Sequence, residues 1–117
     1  MTPTSISIKS EYKNLVGGDI TIPTKNKAGA DLSILQDFKN MPLITGIYFL
    51  GDAKYTKVAT DCFFNNMATE IDLPNTIITI GDGAFRNALN LTTINLNDNI
   101  TSIGLEAFAP LNSTNNL

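Results

Sequence analysis

Residues 71–108 read IDLPNTIITIGDGAFRNALNLTT and then INLNDNITSIGLEAF, the second line repeating the first at an offset of 23. Ile71, Leu73, Ile77, Ile80, Gly81, Ala84 and Phe85 recur as Ile94, Leu96, Ile100, Ile103, Gly104, Ala107 and Phe108. Every recurring residue is apolar or glycine, so the repeat specifies packing and carries no reactive group. A period of this length marks a solenoid, because one unit is too small to bury its own apolar face and must stack on another.

The spacing inside a unit predicts its shape. In Ile-x-Leu the period of two sends both large residues to one side and the middle residue to the other. Successive units run the same way, so their strands pair in parallel, one per coil, and Pro74 ends its strand because it cannot donate to the ladder. Ile77, Ile80, Ala84 and Phe85 are three, four and one apart, which predicts a short helical or 3₁₀ turn returning the chain along the opposite wall. Gly81 is expected to adopt a backbone conformation that other residues resist. Phe38, Phe63, Phe85 and Phe108 are expected to stack as a ladder through the core.

Outward from this stretch the pattern thins. Ile20-Thr21-Ile22-Pro23 echoes Ile71-Asp72-Leu73-Pro74, and Phe38 stands nine residues before Ile47, as Phe85 stands before Ile94. The unit at Ile47 carries two extra residues in LGDAKYTK before Val58, which takes the place of Ile80, and Cys62-Phe63 takes the place of Ala84-Phe85. Units thus start at 20, 47, 71 and 94, and a fifth is begun at Leu117. Residues 1–19, with the alternating Ile6-Ser7-Ile8, the polar Lys9–Asn14 and the flexible Gly17-Gly18, read as an N-terminal capping segment ahead of a solenoid over 20–117.

Composition excludes several function classes. Net charge is −3 with a pI of about 4.6, whereas nucleic-acid partners require clustered Lys and Arg. The charge is polarised: residues 1–58 hold seven lysines against five acids, and residues 59–117 hold Arg86 against six acids. The longest apolar run, around Met41–Leu50, is broken by Pro42 and Gly46, so no membrane span is read. The opening MTPTSISIKSEYK has no apolar core of a secretory leader. With no histidine and the single Cys62, nucleophile–His pairs, His-containing zinc sites and an internal disulfide are absent. Cys62 reads as an inert core residue at a small-residue position.

The remaining motifs resolve to scaffold or surface. Gly81-Asp82-Gly83 starts like a phosphate-binding loop, but Arg86 stands where its third glycine belongs. Glu70, Asp72, Asp82 and Asp98 lack the spacing of a calcium loop and read as solvated surface. Three Asn-x-Ser/Thr sequons, at Asn90, Asn99 and Asn112, read as coincidences of an Asn- and Thr-rich chain. No cofactor, no metal and no catalysis are expected.

The unit resembles the BspA-type leucine-rich repeats, whose pattern runs approximately I-x-L-P-x-x-(V/I)-T-x-I-G-x-x-A-F-x-x-C-x-x-L. Ile71 through Leu91 follow it, with Ala88 where the family often has cysteine; Ile94 through Phe108 follow it with Asn97 in place of proline. Leu111 and Thr114 depart from it. The resemblance implies a right-handed solenoid with a parallel sheet on one face and short helical or 3₁₀ turns on the other. It further implies a cell-surface or extracellular location and roles in adhesion, coaggregation and attachment.

None of the matching residues is a binding residue, so a site is sought where units differ. The outward strand positions Thr21, Tyr48, Asp72 and Asn95, spaced about 4.8 Å apart, form the expected recognition face for a protein or glycan, with Tyr48 as anchor. The alternative is a structural or assembly component, such as a virion-surface or fibre protein, using an open strand edge at Leu117 for chain–chain contacts or further repeats.

Overall fold

A coil whose large residues all point inward has no room for a separate core, so the two walls of the coil must pack on each other. The computed structural model describes residues 5–6, 17–26 and 28–109. Among these described residues are nine strands: β1 (Ser5–Ile6), β2 (Gly17–Ile22), β3 (Ile34–Leu35), β4 (Leu43–Phe49), β5 (Lys57–Val58), β6 (Glu70–Ile71), β7 (Thr79–Ile80), β8 (Thr93–Ile94) and β9 (Ser102–Ile103). They alternate between two sheets, β2-β4-β6-β8 and β1-β3-β5-β7-β9, and every pairing in both is parallel. Each full coil therefore gives one strand to each wall.

Register follows the apolar columns. In the first sheet Ile20, Ile47, Ile71 and Ile94 are successive Cα partners. In the second, Leu35, Val58, Ile80 and Ile103 are. A slip of one residue would turn each of these columns to solvent, so burial itself specifies the stacking. Between the sheets Phe38, Phe63, Phe85 and Phe108 stack with centroids 5.8, 5.1 and 5.0 Å apart and ring planes within 19° of parallel. Tyr55 fills the place of Ile77 in its coil; it is fully buried, and its hydroxyl donates to the carbonyl of Pro23.

In place of the expected short helical or 3₁₀ turn, the second wall carries single turns closed by bonds of the 3₁₀ spacing, three residues back. Among the described residues there is no helix. Ile80 lies in a strand, and the segment after it is a run of turns. Ala84, Arg86 and Ala88 donate to the carbonyls of Gly81, Gly83 and Phe85, three residues back. The alternate donors, Gly83, Phe85 and Asn87, point along the stack to Leu105, Ala107 and Ala109. The same alternation links Asp61, Phe63 and Asn65 to Asp82, Ala84 and Arg86. A helix would direct every N–H along its own axis and leave the neighbouring coil without partners. Left-handed residues every fourth position, Asp61 and Asn65, then Gly83 and Asn87, enforce the break.

Gly81 is also not the conformational outlier expected of it, since Gly83 takes the positive φ of 62°. What Gly81 supplies is close approach: a Cβ there would lie 2.7 Å from the Thr60 nitrogen and 2.9 Å from the Ala59 carbonyl carbon. The constraint comes from the coil beneath it.

Two polar devices complete the stack. Asn40, Asn65 and Asn87, all at positive φ, form a side-chain amide ladder in which Asn87 donates to Asn65 (3.0 Å) and Asn65 to Asn40 (3.2 Å). Asn97, in the place of Pro74, donates to the Ile77 carbonyl and accepts from the Asn99 N–H, holding its turn without proline. Of the expected capping segment only Ser5–Ile6 and residues 17–19 are described. β1 joins the second sheet beside β3, while Lys9–Asn14 and the edge at Leu117 lie outside the described residues.

The ladder makes a graded prediction. Phe85 is buried and stacked on both faces, whereas Phe108 is half-buried with one described ring partner. Urea unfolding of Phe85→Ala is expected to show a loss of about 3–5 kcal/mol, with a smaller loss for Phe108→Ala. Equal losses at the two sites would contradict a core that thins along the stack.

Candidate functional site

The residue after each paired isoleucine leaves the first sheet outward, which places Thr21, Tyr48, Asp72 and Asn95 in one column. Thr21 and Tyr48 are Cα partners. Thr21, Asp72 and Asn95 are exposed and Tyr48 is half-buried. The column exists, but its members differ in what they can offer a ligand.

Tyr48 is tethered. Its hydroxyl donates to Glu70 Oε1 at 2.6 Å. Its ring lies over Gly46, where a Cβ would come within 2.8 Å of ring and hydroxyl atoms and of Asp19 Oδ1. Thr45 Oγ1 donates to the same Asp19 oxygen at 2.6 Å. Gly46 thus provides the space into which the tyrosine folds back across its own strand. The expected free anchor is part of a hydrogen-bonded cluster on the sheet surface.

Asn95 is half engaged: its Nδ2 donates to the Leu73 carbonyl at 2.7 Å, which leaves Oδ1 as an acceptor. The Asp72 backbone N–H donates to Ile47, and its carboxylate makes no hydrogen bond or ion pair with the described residues. These two residues line a groove of about 300 Å³, walled on one side by Phe49, Leu50 and Lys54 and on the other by Leu73, Pro74 and Asn75. Thr21 and Tyr48 stand outside it.

Lys54 and Asn75 are the members that spacing alone missed. The signal was the two-residue excess in LGDAKYTK, because an insertion in a stacked coil can only bulge at the surface, and here it raises one wall of the groove. The Lys54 ammonium and the Asn75 amide also have no described protein partner. Among the described residues no group of three or more His, Cys, Asp or Glu is placed to hold a metal ion, and no helix is long and apolar enough to cross a membrane. Cys62 is buried in the core.

The tether perturbs Tyr48. The Glu70 hydrogen bond foremost, then burial and the nearby carboxylates of Glu70, Asp19 and Asp72, push its phenol up to about 12. Burial alone pushes Tyr55 up to about 12. With the folded value above the unfolded value of about 10, the stability Tyr48 contributes is complete below pH about 10 and is lost as pH rises through about 12. In an NMR titration of the tyrosine rings, Glu70→Gln is expected to bring Tyr48 back toward its ordinary value and to leave Tyr55 late. An unmoved Tyr48 would refute the tether.

The coil spacing and both apolar columns agree with comparison to known families. A family model described as BspA type leucine rich repeat region matches residues 36–117, in six copies. Searches of curated proteins and of solved structures found no match. With the matched stretch covering well over half of its length, the chain belongs to the BspA-type leucine-rich repeat family.

Proposed function

We propose that this chain is a non-enzymatic, surface-displayed adhesion module that recognises a protein or glycan through the exposed face of its first sheet. Repeats of this family are protein-binding modules, usually on surface or extracellular proteins, and their solenoid is typically a non-catalytic scaffold. The observation that carries the reading is the groove beside Asp72 and Asn95. There the outward column meets an inserted loop, and Lys54, Asp72 and Asn75 present polar groups with no described protein partner. Elsewhere on that face Tyr48, Glu70, Asp19 and Thr45 satisfy one another.

Beads coated with the protein are expected to adhere to cultured cells. Asp72→Ala with Asn75→Ala is expected to abolish adhesion, whereas Lys57→Ala with Thr79→Ala on the opposite wall leaves it intact. Equal adhesion by both variants would remove the sheet face from the reading.

A second reading, assembly into a larger structure through the solenoid's end, is favoured by a separate observation. In the last described coil Ile103 is 52% and Leu105 79% exposed, and β8 and β9 have no further described strand beside them. Open parallel edges flanked by apolar side chains invite another chain. Light scattering is expected to show a mass rising with concentration and Leu105→Lys to suppress the rise. A single-chain mass at every concentration would dismiss this reading.

A further inference from the structure

We propose that the groove between the 49–54 loop and the 72–76 segment is a saccharide site that takes a short neutral glycan of mono- to disaccharide size. The inference rests on the recognition reading above and names the class of ligand for that same face. At about 300 Å³ the groove matches the lower end of small-ligand pockets. Its lining divides by chemistry. Phe49, half-buried, and Leu50, 58% exposed, supply an apolar wall suited to the C–H face of a sugar ring. The Asp72 carboxylate, the Asn75 amide and Asn95 Oδ1 supply acceptors and donors beside it. A vicinal pair of hydroxyls, each able to donate and accept, satisfies a carboxylate and an amide together.

Other ligand classes fit less well. A polyanion such as a sulfated glycan would meet Asp72, with Asp19 and Glu70 clustered at neighbouring Tyr48, against Lys54, the one cation among the described lining residues. An extended peptide adds to a sheet through an open edge. The groove instead lies across stacked coils, where the Asp72 N–H is already given to Ile47 and the Leu73 carbonyl to Asn95. Recognition there falls to side chains, and a carboxylate beside two carboxamides can accept from and donate to sugar hydroxyls.

The test uses the full chain and NMR titration with lactose, maltose, cellobiose and N,N′-diacetylchitobiose, beside a sulfated heparin disaccharide and a neutral tetrapeptide. At least one neutral disaccharide is expected to give saturable shifts at Leu50, Asp72, Asn75 and Asn95 and none at Lys57 or Thr79. Asp72→Ala and Asn75→Ala, both at exposed positions with thermal melts as a folding control, are each expected to weaken that binding by about tenfold or more. The assignment is overturned if none of the four sugars moves these signals, or if the sulfated disaccharide or the tetrapeptide binds there more tightly. Bead adhesion separates the two levels. Adhesion that needs Asp72 and Asn75 without saccharide binding sinks the glycan assignment alone, and adhesion indifferent to them sinks the recognition face itself.

Discussion

Everything in this molecule depends on hydrogen bonds that run between coils. Both sheets pair in parallel, and on the turn wall every second N–H crosses to the next coil as well. The stack is therefore tied at nearly the same spacing around its circumference, close to the strand separation of about 4.8 Å. That single distance dictates which side chains are tolerable. Phenylalanine rings stack at 5.0–5.8 Å because the backbone sets them there. Gly81 is a glycine because the neighbouring backbone leaves no room for a side chain. Polar residues inside the wall must find partners one coil away, as buried Asn66 does in donating to the Phe38 carbonyl.

The parts of this architecture that depend on apolar periodicity are legible in the sequence. The isoleucine columns and the phenylalanine positions recur at offsets of 22 to 27 residues, and a stack of parallel coils is the arrangement that uses such a recurrence. The second wall is less legible, because the spacing three, four, one of Ile77, Ile80, Ala84 and Phe85 suits a short helical or 3₁₀ turn as well as a strand followed by single turns. What separates the two is the left-handed backbone at Asp61, Asn65 and Asn87, and asparagine or aspartate in a loop does not announce its φ. The amide ladder Asn40–Asn65–Asn87 escaped notice for the same reason: its members sit at 25- and 22-residue intervals in a chain full of asparagine.

The candidate site was half legible. Alternation placed Asp72 and Asn95 outward, and they line the groove. Alternation equally nominated Tyr48, but a side chain facing outward is not thereby free. The glycine two residues earlier lets the ring lie down, and Glu70, one strand away in space and 22 residues away in sequence, holds its hydroxyl. Lys54 and Asn75 escaped because neither belongs to the column. They come into play through the inserted loop and the turn after Pro74, whose paths depend on the neighbouring coil rather than on local pattern.

The thin cover over the last described coil has a dynamic consequence. In a stack whose coils touch only their immediate neighbours, stability is a chain of nearest-neighbour terms, and a link with thinner cover opens more often. Asn95 belongs to that coil, following half-buried Ile94 and preceding exposed Leu96. One lining residue of the groove thus comes from the coil with the thinnest cover among those described. A molecule seated against Asn95 and Asp72 would act as a clasp across two coils, so that occupancy and the closing of the link between them become one linked equilibrium.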